Sequence, residues 1–207
     1  MSKGTPVSTL RERKRRATRE RLLAVAHALF VERGYDGTTM EDIAAGADVS
    51  RATAFNYFPR KEEFLLAWVE GRRVIMSDLL AREEAQSVHT IDRLRHAFAS
   101  LGASLEENAP ENRALTRAWL QAGGPLLPDA YATATVFADT LRYGLSRGEL
   151  RRDIDAEVVG RLLLDAYLGI LIRWSIDDQQ PPTILRVQLV AALELITDGL
   201  RPPSGQI

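Results

Sequence analysis

An all-α fold is predicted for this 207-residue chain by three features of its sequence. Apolar residues recur at three- and four-residue steps through nearly every segment, no run of strand length alternates apolar with polar residues, and clusters of Pro, Gly, Asp and Asn punctuate blocks of helical length. There is no internal repeat and no low-complexity stretch that would suggest an array or a disordered chain.

The elements follow in order. From Thr18, the residues Leu22, Val25, Ala26, Leu29 and Phe30 form a helical stripe, and Gly34 stands where a left-handed C-terminal cap is expected. A second start falls at Thr38 or Thr39, with Glu41 and Asp42 placed as capping-box partners. That helix is short, with Met40, Ile43, Ala44 and Ala47 on its apolar side, until "AGAD" breaks the pattern. Ser50 caps a third short helix that runs to about Tyr57, and Pro59 stops it. "RKEEFLLAWVEGRRVIMSDLLAREE" then resumes as a long helix with Phe64, Leu65, Trp68, Ile75 and Leu79 on one side.

Beyond it, "AQSVHT", "ENAPEN", "GGPLLP", "LSRGELRRDID" and "SIDDQQPP" read as loops that separate five further helices. The last two differ from the rest. "VVGRLLLDAYLGILIRW" is apolar on almost every face, and "ILRVQLVAALELITDGL" carries Leu185, Leu189, Ala192, Leu193 and Ile196 along one broad stripe. A helix apolar all round needs cover on two sides, supplied by the domain itself or by a second copy in a four-helix bundle. The second arrangement would use Leu163, Gly169, Ile170, Leu185, Leu189, Leu193 and Ile196 for dimerisation, with Gly169 letting backbones approach.

Composition narrows the function classes. The chain is 45% hydrophobic and 27% charged, as an ordinary globular protein is. It has no cysteine, which excludes disulfides, thiol nucleophiles and cysteine-based metal sites. No apolar run approaches the roughly 18 residues of a membrane span, and "MSKGTPVSTLRERKRR" lacks the apolar core of a secretory signal, so a cytoplasmic protein with no membrane partner is expected. The formal net charge of −1 is unevenly spread: residues 1–61 hold 12 Lys/Arg and 7 Asp/Glu, a net of +5, which leaves −6 for residues 62–207. One end suits a polyanion and the other repels one.

The stretch "TTMEDIAAGADVSRATAFNYF", residues 38–58, is two short helices joined by a tight turn, with Ile43, Ala44 and Val49 apolar or small enough for a close crossing. That is helix-turn-helix geometry. The second helix collects Ser50, Arg51, Thr53, Asn56 and Tyr57, whose hydroxyl, amide and guanidinium groups can bond phosphate oxygens and base edges, while Ala52 permits near approach. A core helix would not gather so many donors.

With Lys61 and Glu62 added, this stretch resembles the DNA-binding signature of the TetR family of transcriptional regulators. The family's pattern runs Thr–x–x–x–Ile–Ala, a turn, Val–Ser, then Thr–x–Tyr–x–Tyr–Phe–x–x–Lys–Glu; here Thr39, Ile43, Ala44, Val49, Ser50, Thr53, Tyr57, Phe58, Lys61 and Glu62 stand in those places. The likeness covers about a quarter of the chain. Two positions depart from it: Phe55 replaces a usual Tyr, leaving only ring packing there, and Asp48 replaces a usual Gly in the turn, which puts a negative charge near DNA.

The resemblance implies a DNA-binding domain over residues 1–61 with a basic N-terminal arm, and a larger helical ligand-binding and dimerisation domain over residues 62–207. It implies a homodimer that reads a pseudo-palindromic double-stranded DNA operator, most often as a repressor, and is released by a small-molecule effector; no cofactor is implied. By position, Thr39 and Lys61 would hold phosphates, and Ser50, Arg51, Ala52, Thr53, Asn56 and Tyr57 would face the major groove, with Arg51 the first choice for a guanine and Tyr57 for a phosphate. The fourth helix would be the lever between reading head and body.

The arm "RERKRRATRER" brings seven basic residues to the start of the first helix, where positive charge opposes the dipole, so it is either a solvated tail or a partner for DNA phosphate or minor groove. In the body, Trp119, Gln121, Tyr131, Phe137 and Tyr167 are amphipathic groups suited to lining a ligand pocket or a core. Asp165, within "LLLDAY", needs a partner: Arg161, an arginine of another helix, or a ligand cation. A different class of function would use His89, Asp92 and His96, which share a helical face, as the metal site of a small all-α enzyme; a third would be a purely dimerising interaction protein.

Overall fold

Thr9 starts the first helix nine residues before its apolar stripe begins. In the computed structural model, which describes residues 9–86, 88–124 and 131–200, α1 spans Leu10–Arg33, and Thr9 and Glu12 form a reciprocal capping box at its N-terminus. The basic arm is therefore part of the helix. Arg and Lys are good helix formers, and Glu12 in the first turn offsets the cost of cations near the positive end of the dipole. The apolar pattern could not show this because the extension is exposed all round, and only Leu22, Ala26 and Phe30 are buried.

The described residues contain helices and no strands. After α1 come α2 (Met40–Gly46), α3 (Arg51–Tyr57) and α4 (Glu62–Ala85). Then come α5 (Thr90–Glu107), α6 (Ala109–Gln121), α7 (Ala132–Ser146), α8 (Ala156–Ile176) and α9 (Leu185–Asp198), the last preceded by a 3-10 turn, Pro182–Ile184. The expected loop "ENAPEN" shrinks to a single residue: Asn108 ends α5, and Pro110 lies in the first turn of α6, where its missing N–H is no loss. Most of "GGPLLP" falls outside the described residues.

The chain forms two compact units, Met1–Leu66 and Ala67–Ile207. The division falls inside α4 and not at residue 61, because Phe64 and Leu65 are fully buried and Phe64 stacks on Phe58 at 4.1 Å. The first turn of α4 thus completes the core of the N-terminal unit.

In the second unit α7 packs on α8, and α5 on α9. Phe98, Phe137, Leu163, Trp174, Leu185 and Leu189 belong to one core, in which Phe98 meets the rings of Phe137 and Tyr167 at 5.4 and 6.3 Å. Close backbone approaches occur at Gly102, where a Cβ would lie 2.7 Å from the Arg186 Cα of α9, and at Gly160, where it would lie 2.7 Å from the Ala134 carbonyl oxygen. Gly169, expected to serve this purpose, has open space at its Cα.

The dimer face is corrected at most of its positions. Leu163, Ile170, Leu185, Leu189 and Leu193 are buried in the protomer's own core, and Ile196 packs at its margin, so these side chains fill the domain rather than face a partner. The outward faces carry other residues. Leu195 is 80% exposed, and Val158, Leu162, Ile176 and Val187 are between 49 and 59% exposed. On α8, Val158, Leu162, Gly169 and Ile176 follow one another at steps of four and seven, which align them on one side of a helix. Both faces of these helices are apolar, so periodicity alone could not say which is inside.

Candidate nucleic-acid interface

Thr39 is the N-cap of α2, which resolves the two possible starts: its hydroxyl accepts from the Asp42 N–H at 3.1 Å and donates to the Asp42 carboxylate at 2.6 Å. These bonds from Thr39 hold the Asp42 carboxyl below its usual range. Thr38 is buried beside it, bonded to the Gly34 carbonyl at 2.9 Å. A Cβ on Gly46 would come within 2.7 Å of a Val25 methyl, so α2 crosses α1 closely. The turn closes through the Val49 N–H to the Ala44 carbonyl at 3.0 Å, with Asp48 left-handed at φ 51°. Asp meets there the conformational demand that Gly commonly meets.

Ser50 caps α3, accepting from the Thr53 N–H at 3.1 Å and sharing a hydrogen bond with the Thr53 hydroxyl at 2.8 Å. Of the seven residues of α3 only Ala54 is buried. The helix is anchored by one methyl group and otherwise displayed: Arg51, Ala52 and Asn56 are exposed, and Thr53, Phe55 and Tyr57 half-buried. The Arg51 side chain pairs with Glu41 of α2 at 2.7 Å and lies 5.4 Å from the Phe55 ring. Phe55 thus contributes ring packing, as its missing hydroxyl requires.

Lys61 is placed differently from a free phosphate clamp. Its ammonium donates to the carbonyls of Tyr35 and Thr38 at 2.6 and 2.9 Å and sits 4.0 Å from the centre of the Tyr35 ring. Burial, with Glu62 and Asp36 nearby, pushes the Tyr35 phenol up from its ordinary range. Two of the three ammonium donors of Lys61 tie down the connection between α1 and α2, leaving one for a phosphate. Lys61→Met is therefore expected to lower the stability of the protein by about 2 kcal/mol, since two charge-assisted hydrogen bonds are lost and only the stem is kept. Thermal unfolding checks this, and an unchanged midpoint would remove the clasp from the account.

The described N-terminal surface is basic along α1, where Arg11, Arg13, Lys14, Arg15 and Arg16 are exposed and Arg16 pairs with Glu20 at 2.7 Å. Arg19 lies over the Phe58 ring at 5.0 Å. Charge, the displayed α3 and the tight turn together make a surface able to meet a phosphate backbone and enter a groove.

The second unit holds a narrow cavity of about 40 Å³, lined by Trp68, Arg72, Met76, Trp119, Tyr167 and Leu171 among others. Two of the expected ligand residues, Trp119 and Tyr167, are there. Phe137 is fully buried core, while Gln121, Tyr131 and Asp165 are exposed. Asp165 is exposed in the protomer, on the outward side of α8. The residues missed are Trp68, Arg72 and Met76, spaced by four on α4; that spacing was legible, but the apolar side of α4 was assigned through Ile75, which is exposed. Burial pulls the Arg72 guanidinium below its usual range and pushes the Tyr167 phenol up.

The grouping His89, Asp92 and His96 is not assembled. His89 faces Glu149 at 3.7 Å, His96 bonds Glu83 at 3.1 Å, and Asp92 pairs with Arg95. No cluster of three or more metal-ligating side chains occurs among the described residues, and no described helix is long and apolar enough to cross a membrane.

Residues 22–68 match the model of the family described as bacterial regulatory proteins, tetR family. The chain is 28% identical over 173 residues to the HTH-type transcriptional regulator UidR of Escherichia coli, covering 78% of this chain and 83% of that protein. It is 26% identical over 207 residues to the HTH-type transcriptional repressor DhaR of a Mycobacterium species, covering 93% and 97%. Among solved structures, Thermus thermophilus FadR, a TetR-family repressor in complex with lauroyl-CoA, superposes with a TM-score of 0.72 at 28% identity, covering 91% of this chain and 99% of that one.

Proposed function

The chain belongs to the TetR family of transcriptional regulators, and from that premise we propose that it is a cytoplasmic homodimeric repressor that reads a pseudo-palindromic operator and is released by a small-molecule effector. One observation carries the DNA reading: α3 buries a single residue, Ala54, and displays Arg51, Ala52, Thr53, Asn56 and Tyr57. A helix that contributes so little to its own core is kept for what it presents. Thr39 and Ser50, spent on helix caps, set the angle of α2 and α3; Arg51 and Asn56 are the base readers.

Dimerisation is assigned to the outward faces of α8 and α9, through Val158, Leu162, Gly169, Ile176, Val187 and Leu195. Two-fold symmetry then places two copies of α3 on half-sites one helical turn or more apart. The effector occupies the cavity beside Trp119 and Tyr167. Proteins of similar build have been solved with small molecules bound: FadR with lauroyl-CoA, and SmeT of Stenotrophomonas maltophilia, alike in fold, with triclosan.

Selection of bound duplexes from a random pool tests the DNA reading, with an enriched inverted repeat expected; a pool with no enriched sequence would contradict it. The effector reading has its own test. By linkage, a compound that releases operator must bind more weakly when operator is saturating, by the same factor, commonly about 5–150-fold. Equal dissociation constants with and without operator, for a compound shown to occupy the cavity, would mean that the cavity does not control DNA binding.

A further inference from the structure

We infer that the cavity of the second unit is built for an anion, and that its ligand is a monocarboxylate whose carboxylate is held by Arg72 while its hydrocarbon lies on Met76, Leu101, Trp119 and Leu171. The inference rests on the reading of this cavity as the effector site and names the class of ligand.

The arginines of the second unit differ in how their charge is met. Arg93 is buried and answered by Glu84 at 2.7 Å, with a further bond to the Leu80 carbonyl at 3.0 Å. Arg113, also buried, has Asp178 at 3.7 Å and the Gln180 carbonyl at 3.0 Å. Arg72 lines the cavity, and no carboxylate among the described residues forms an ion pair with it. Its one hydrogen-bond partner is neutral: Nη2 donates to the Asn112 side-chain oxygen at 2.6 Å. Asn112 is buried and its amide nitrogen is committed to the Leu105 carbonyl at 2.9 Å, which fixes the oxygen toward Arg72. The Arg72 Nε–H is buried with no partner, as are Nε and Nη1 of Arg93 and Nε of Arg113; what sets Arg72 apart is that no carboxylate answers its charge.

A guanidinium can be approached on its faces or its edges. One face is taken by the Trp68 ring, whose centre lies 4.5 Å away. What stays unmet is an edge, and edge N–H groups are matched by a carboxylate, which accepts two parallel bonds. A cation held by an amide and an aromatic ring, with an unpaired buried donor, is costly unless something arrives to answer it. Most of the rest of the wall is hydrocarbon and aromatic, with Thr133 and Arg73, the latter already paired to Glu70, as its other polar side chains, so the remainder of the ligand is largely apolar. The Tyr167 phenol and, less strongly, Glu111 act on Arg72 through space, and neither forms an ion pair with it.

Octanoate and 1-octanol, which share a chain and differ in charge at pH 7, are the probes. Each is titrated into the full-length protein and into Arg72→Gln, which removes the charge but can still bond Asn112. Emission of Trp68 and Trp119 in the cavity wall and calorimetry report binding, and circular dichroism confirms the fold of the variant. The expected result is at least a tenfold preference for octanoate in the natural protein that disappears in Arg72→Gln, with octanol binding unchanged. Equal binding of the two probes, or a preference that survives Arg72→Gln, would overturn the anion inference and leave the effector cavity standing. Binding of neither at millimolar concentration would overturn both. Octanoate that binds with the expected preference but leaves operator affinity untouched would support the anion site and count against its role as an effector site.

Discussion

Leu195→Glu is expected to turn a dimer into folded monomers. The residue is the most exposed large apolar side chain of α9, and nothing in the protomer's own core depends on it. In a two-fold interface each substitution acts twice. Loss of about 1.5–3 kcal/mol of burial per copy, with an added charge near Glu194 and Asp198, weakens association by roughly two to four orders of magnitude. Sedimentation at micromolar concentration reads the mass, and circular dichroism reads the fold. The contrast is Leu189→Ala, four residues into the same helix but fully buried. That change leaves a cavity and should cost about 2–5 kcal/mol of folding stability while leaving the interface intact. A dimer of unchanged affinity for Leu195→Glu would remove the outward face of α9 from the assembly. A destabilised but dimeric Leu189→Ala would confirm that the two faces of one helix have separate tasks.

That separation is what the sequence left open. Leu185, Leu189 and Leu193 were visible as a stripe, and a stripe says that a helix has a buried side, not what buries it. Where a helix is apolar on two sides, as α8 is, composition ranks neither above the other; only the packing of α5 and α7 against them decided it. The N-terminal unit was more legible, because its signals are chemical rather than statistical. Thr39 with Asp42 and Ser50 with Thr53 are caps, and a cap fixes a helix start to the residue. Lys61 shows the limit of such reading: its place in the family pattern was correct, but its bonds to Tyr35 and Thr38 join residues more than twenty positions apart, which no local pattern encodes. Arg72 was missed for a related reason. An arginine on a charged helix reads as solvent-facing until its neighbours from α6 and α8 are known.

Arg51→Ala is expected to abolish selective operator binding while sparing the weak, sequence-independent affinity. Without DNA, Arg51 is paired with Glu41 at 2.7 Å, and both side chains are more than half exposed. Such a surface pair contributes about 0–1 kcal/mol. A bidentate contact with a guanine edge contributes about 1–3 kcal/mol of discrimination, so the base wins and Arg51 leaves Glu41 on binding. Two half-sites double the loss to roughly 2–6 kcal/mol, a factor of about thirty to twenty-five thousand in operator affinity. Random-sequence duplex, held mainly by phosphate contacts, should change far less. Glu41→Gln makes the sign of the argument testable: it frees Arg51 beforehand and removes a carboxylate from a surface that meets phosphates, so operator binding should tighten or stay level. Mobility shifts on operator and random duplex at two salt concentrations give all these quantities. If Arg51→Ala weakens both duplexes equally, the residue is a phosphate contact and the base reading passes to Asn56, the other exposed polar group of α3.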